Sequence, residues 1–239
     1  MIKTKFIIFL TLVLGILAQA QSNLSGTVLY KASHNKTKIK KDSGEKSEGI
    51  EGANQLLQNA SDVYTTLNFN SKESSYRVNK KLKVDGIDSI NITYFFAGGD
   101  NLFYCNNDSL KVVQSNTSLG KLYLIKKDSP NWVITKETKM IDGLTCTKAY
   151  STILEGDKEK VGATAWFCPS IPVGFGPLEY FGLPGLIIEL QFSKMTFIAE
   201  KINLNKKNVV IEKHKNAPIL TLEEFMAIAK KRTPDFFEN

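Results

Sequence analysis

Gly176-Pro177-Leu178-Glu179-Tyr180-Phe181-Gly182-Leu183-Pro184-Gly185-Leu186-Ile187-Ile188-Glu189-Leu190-Gln191-Phe192 reads as a tight turn feeding a strand. Leu183-Pro184-Gly185-Leu186 suits a type II turn: proline presets φ at the second position and glycine supplies the positive φ needed at the third. From Leu186 onward the side chains alternate. Leu186, Ile188, Leu190 and Phe192 fall on one face, and Ile187, Glu189 and Gln191 on the other. The segment is either a turn entering a core strand or a loop that touches a ligand, because glycines admit the close approach of a backbone or a ligand alike.

Outward from this segment, strand-like runs dominate. Trp132 to Leu154 is extended with a break at Asp142-Gly143, Glu155 to Glu159 turns, and Lys160 to Cys168 returns. Pro169 and Pro172 end regular pairing because each lacks a ladder donor. Ser170 to Phe181 is a Gly- and Pro-rich linker to the turn. Earlier runs are Leu24–Ser33, Val63–Asn70, Ser74–Asn79, Ile90–Phe96, Asn101–Cys105, Ser109–Ser115 and Lys121–Lys126; later ones are Met195–Leu204 and Asn208–Glu212. Helical spacing occurs at Ile50–Ala60. A second helix opens on the capping box Thr221-Leu222-Glu223-Glu224, with Leu222, Phe225, Met226 and Ala229 as its apolar stripe. The expected fold class is mainly β (β-rich α+β). A large curved antiparallel sheet or open barrel would carry one short helix in the N-terminal half and one at the C-terminus.

Gly182-Leu183-Pro184-Gly185-Leu186-Ile187, with Gly176-Pro177 ahead of it, resembles the signature of the bacterial GLPGLI family. Ile141-Asp142-Gly143-Leu144-Thr145-Cys146-Thr147-Lys148-Ala149 and Ala165-Trp166-Phe167-Cys168-Pro169-Ser170-Ile171-Pro172 are similar to two upstream segments of that family. The resemblance is good from Ile141 to Phe192. It implies a secreted or periplasmic protein without an established activity, and it carries over no catalytic residue.

The N-terminus fits that compartment. Lys3 and Lys5 form a positive start, Phe6 to Leu17 is an apolar run, and Ala18-Gln19-Ala20 is a small-residue cleavage site. Residues 1–20 are therefore expected to be a signal peptide and residues 21–239 one β-rich domain. No cysteine follows the cleavage point, so a lipid anchor is not expected. No later run approaches a membrane-spanning length. The net charge of +7 falls to +5 once Lys3 and Lys5 are removed. Much of the excess lies in Lys36, Lys38, Lys40, Lys41 and Lys46, interspersed with Asp42, Glu45 and Glu48. No stacking-aromatic motif accompanies them, so this reads as a solvated loop, and no nucleic-acid partner is expected.

Catalytic and metal motifs do not stand out. The two histidines, His34 and His214, lie in no paired-ligand spacing, and no nucleophile elbow, P-loop or dinucleotide fingerprint occurs. No catalytic residue, metal or cofactor is expected. Glu189 sits in an apolar strand and is either solvent-facing or a lone buried carboxylate. A five-residue loop at Glu155–Glu159 would place Leu154 opposite Lys160 and hence Cys146 opposite Cys168. In an oxidising compartment that pair is expected to form a disulfide, leaving Cys105 unpaired. The expected function is non-enzymatic, with an apolar or peptide-like ligand held in the curved sheet. The alternatives are an accessory partner of an outer-membrane assembly and a hydrolase of unrecognised type.

Overall fold

The computed structural model describes residues 24–36, 47–80, 90–108, 111–155 and 157–233. The signal-peptide reading of residues 1–20 and the lysines at 38, 40, 41 and 46 lie outside these residues.

Among the described residues, one sheet of twelve strands organises the chain. In sequence, β1 is Gly26–His34, β2 Val63–Phe69, β3 Glu73–Val78, β4 Phe103–Asn106, β5 Lys111–Asn116 and β6 Tyr123–Asp128. β7 is Trp132–Ile141, β8 Leu144–Glu155, β9 Lys158–Cys168, β10 Leu186–Phe192, β11 Met195–Leu204 and β12 Ile219–Leu220. The spatial order is β12-β6-β5-β4-β3-β2-β1-β11-β10-β9-β8-β7. All neighbours are antiparallel except the short β12, which runs parallel to β6. The sheet is thus two sequential meanders, β2–β6 and β11–β7, joined by β1. That strand pairs with β2 on one side and β11 on the other.

The sheet must curl. β6 ends at Asp128 and β7 begins at Trp132, yet they lie towards opposite edges. Four residue steps span at most about 14 Å, so the edges approach one another there. The ladder does not close, and the barrel stays open along this seam.

Alternation explains what the sheet buries. Val28, Tyr30 and Ala32 of β1, Leu67 and Phe69 of β2, Tyr76 and Val78 of β3, and Phe103 and Cys105 of β4 point inward and are buried. Their neighbours on the outer face are half-buried or exposed, apart from Ser75 of β3, which is buried. Among the described residues, three helices complete the fold. α1 is Ser47–Gln58. α2, Ile92–Phe96, replaces the strand expected at Ile90–Phe96: Asn91 caps it by accepting from Thr93 N, and Gly98 and Gly99, both at positive φ, follow its end. α3, Leu222–Arg232, has the expected capping box at Thr221 and Glu224. It buries Phe225 against Tyr123 and Ile125 of β6, with Ile228 packed beside them; Ala229 is also buried, while Leu222 and Met226 stay exposed.

Two further expectations are corrected. Asp142-Gly143 is a reversal rather than a break within one strand. Both residues have positive φ, as a two-residue hairpin turn requires, and β8 folds back on β7. Asn208–Glu212 is not a strand. From Asn208 to Pro218 the chain crosses the outer face as a strap, held mainly by side-chain contacts and, at its end, by Leu124 N of β6 donating to Pro218 O at 2.9 Å. Glu212 N donates to Ser75 Oγ and Arg77 Nε to Glu212 at 2.7 Å. Lys213 Nζ reaches Glu73 at 2.9 Å, and His214 Nε2 lies 2.7 Å from Val113 O.

Candidate functional site

The Gly- and Pro-rich segment from Pro169 to Gly185 occupies the inside of the curl. Ile171, Val173, Phe175, Leu178, Phe181 and Leu183 are all buried in the main core. The segment doubles back on itself: Gly182 N donates to Gly174 O at 2.8 Å, Leu186 N to Ile171 O at 2.9 Å and Ile187 N to Phe175 O at 3.0 Å. Tyr30 of β1 donates its hydroxyl to Ile187 O at 2.6 Å in the middle of the core. Burial raises the Tyr30 pKa well above the ordinary tyrosine value, so this donor keeps its proton.

The same segment fastens the seam. Glu179 pairs with Lys127 of β6 at 2.8 Å. Phe181 O accepts from Ser129 Oγ and from Trp132 Nε1, each at 2.8 Å. A ligand inside the curve therefore finds that volume already filled by the chain itself.

The glycines play different parts from those the sequence suggests. Gly182, not Gly185, has positive φ, at 90°. Gly185 is needed for space: a Cβ there would sit 2.6 Å from the Cys168 carbonyl carbon and 2.9 Å from Pro169 N, and closer still to Cys168 O. Strict alternation also fails in β10. Ile187 pairs with Phe167 and Glu189 with Trp166, so Ile188 is an extra, bulged residue, and Ile187 and Ile188 are both buried.

Glu189 lies on the outer face and is neither solvent-facing nor alone. Lys139 Nζ contacts it at 2.6 Å and also sits 4.3 Å from the centre of the Trp166 ring, and Gln191 Nε2 donates to its other oxygen.

Cys146 and Cys168 come together on adjacent strands by a route other than the one expected. β8 and β9 turn through two residues rather than five, and Leu154 pairs with Glu159. An extra residue at Gly162 then restores the alignment Ser151↔Ala163 through Thr147↔Phe167, whose next rung is Cys146 and Cys168. Gly162 has the space for this because Ile153 packs where a Cβ would stand. The three thiols are free in this structure and buried. Burial, with Cys168 beside it, pushes Cys146 up to about 11, and burial pushes Cys105 up to about 12.

Two clefts open to solvent beside this framework. One, of about 370 Å³, is polar and lies by the strap, between Glu212 and the outer-face residues Thr66, Asn68, Arg77 and Asn79. The other, of about 310 Å³, is apolar. Leu144, Ile171, Ile188, Ala199, Ile202 and Leu204 line it, with Asp142 and Glu200 completing the wall. Among the described residues, no group of three or more His, Cys, Asp or Glu side chains could hold a metal ion, and no helix is long and apolar enough to cross a membrane. His214 contacts a backbone carbonyl, and His34 stacks on Phe96.

Residues 154–189 match a protein family described as "Protein of unknown function (Porph_ging)". The match takes in β9, the interior segment and the start of β10. No curated protein matches the chain. Among solved structures, PNGF-II in two crystal forms is similar, with a TM-score of 0.52 and 12% identity over 87% of this chain. This chain spans about a third of the length of PNGF-II: 34% of one and 33% of the other. At that identity the likeness is one of fold.

Proposed function

We propose that the protein is a non-enzymatic component of the bacterial cell envelope, of the GLPGLI type, that binds an apolar or peptide-like ligand. The observation that carries the reading is the half-open apolar cleft of about 310 Å³ beside the interior segment, a size within the range of small-molecule sites. The ligand lies at this cleft and not within the curve, where Phe175 and Phe181 already sit. The signal-peptide pattern at residues 1–20 supports the compartment. In that compartment Cys146 and Cys168 close into a disulfide that ties β8 to the point where β9 enters the interior segment.

Mass spectrometry of native material tests both halves of the reading. The mature chain is expected to start at Gln21 and to carry a co-purifying apolar molecule. Full-length chain retained in the inner membrane overturns the export half. A neutral fluorescent probe, N-phenyl-1-naphthylamine, that fails to bind at one site per chain overturns the ligand half.

A second reading, an accessory partner of an outer-membrane assembly, draws on the end of the β8–β9 hairpin. Ile153, Leu154 and Val161 are exposed there, which is an unusual density of apolar surface for a hairpin tip.

A further inference from the structure

Two β-bulges lie side by side in this sheet, and both open onto the apolar cleft. In β10 the extra residue is Ile188. In β11, Leu29 pairs with Lys201 and Tyr30 with Ala199, so the extra residue is Glu200. A bulge re-aims a side chain that regular pairing would point elsewhere, and bulges are common beside functional sites. Here the two bulged residues are an isoleucine that contributes apolar wall and a glutamate that contributes charge, and both line the same cleft. The third element of the site is the β7–β8 turn, which supplies Asp142 and Leu144. Its aspartate sits at φ 46°, a conformation that Asp tolerates, so the turn holds the carboxylate at the cleft wall. The nearest cation paired with this wall is Lys31, 3.9 Å from Glu200 and closer to Asp62, at 3.4 Å. The cleft thus joins six apolar side chains to two carboxylates on a chain whose net charge is +7.

We propose that this cleft binds a positively charged amphiphile: an aliphatic chain terminating in an ammonium group. The chain covers Leu144, Ile171, Ile188, Ala199, Ile202 and Leu204, and the ammonium lies between Asp142 and Glu200. A volume of 310 Å³ has room for roughly ten non-hydrogen atoms, at the ~30 Å³ that one water occupies in the liquid. An alkylamine of eight to ten carbons, about that many atoms, matches it. The selectivity runs against the charge of the whole molecule. A basic protein that adsorbs amphiphiles non-specifically favours anions, so a preference for the cation reports the cleft.

This proposal rests on the ligand-binding reading above, and the experiment separates the two. Bound N-phenyl-1-naphthylamine is displaced from the full chain by decylamine, decan-1-ol or decanoate at pH 7. Decylamine is expected to compete at least tenfold better than decan-1-ol, with decanoate weakest. The double substitution Asp142→Asn, Glu200→Gln should reduce decylamine to the level of the alcohol. Asn suits the turn at least as well as Asp, and Glu200 is exposed, so the variant should keep the wild-type melting temperature. Leu204→Ser should weaken all three competitors together. Decan-1-ol or decanoate competing as well as decylamine overturns the charge selectivity and leaves the apolar site standing. Failure of all three to displace the probe overturns both readings.

Discussion

Replacing Gly185 gives the sharpest test of how the interior segment is held. Its backbone does not occupy the left-handed region. It lies against the backbone of Cys168 and Pro169, and a Cβ would be 2.6 Å from the Cys168 carbonyl carbon, 0.8 Å short of the 3.4 Å at which ordinary contact begins. The neighbour is main chain, which cannot rotate away, so β9 and β10 must separate where Leu186 pairs with Cys168. The bonds from Leu186 N to Ile171 O and from Ile187 N to Phe175 O are strained with it. Overpacking of a core costs about 1–3 kcal/mol and each weakened buried hydrogen bond about 1 kcal/mol. We therefore expect Gly185→Ala to cost about 2–4 kcal/mol, or roughly 5–15 °C in Tm for a chain of this size. Because the clash is at Cβ, Gly185→Asn and Gly185→Val should cost about as much. A positive-φ corner behaves differently: asparagine is tolerated there and valine is not. Urea unfolding of the three variants distinguishes the two. A loss below about 0.5 kcal/mol for alanine, or an asparagine variant clearly more stable than alanine, refutes the close-approach account.

Three other outcomes follow from contacts described above. Tyr30→Phe removes the donor to Ile187 O and should cost about 1–2 kcal/mol in urea unfolding, with Tyr64→Phe on the exposed face as an unaffected control. Non-reducing peptide mapping of exported protein should find Cys146 joined to Cys168 and Cys105 free. The bond should be worth about 3 kcal/mol, and a bridge that includes Cys105 would contradict the strand register. His214, half-buried within the strap, has its pKa lowered, first by burial. The folded state thus disfavours the charged ring, so the strap's stability is full above pH 6.5 and declines as pH falls below that unfolded value. Hydrogen exchange of residues 208–218 should accelerate from pH 7 to pH 5 more than the intrinsic rate change predicts, and His214→Gln should remove that excess.

Much of the fold was legible because period-two burial is a local property. β1, β2, β3, β11 and the α3 capping box lie within two residues of where alternation and cap chemistry put them. What was not legible depends on partners far away in sequence. Nothing near Gly185 announces the Cys168 carbonyl, and a Leu-Pro-Gly-Leu turn has the same spelling whether the glycine supplies φ or space. The bulges at Ile188 and Glu200 are invisible to alternation because they interrupt it, and they are what builds the cleft. The Cys146–Cys168 alignment emerged because a turn shorter than expected and an unforeseen bulge at Gly162 cancel. Asn208–Glu212 reads as a strand because Val209, Val210 and Ile211 are β-branched, although these residues join no ladder.

The position of β1 between the two meanders has a consequence for the order of events during folding. β1 can join β2 early, after a short excursion of chain. Its other edge stays open until β11 is available, more than 160 residues later. Contacts this distant slow folding, because the loop must be closed before the pairing rewards it. A chain threaded through a translocation channel from its N-terminus cannot complete its central strand before most of it has emerged. On the proposed export route, this topology would delay completion of the sheet until most of the chain has passed the channel.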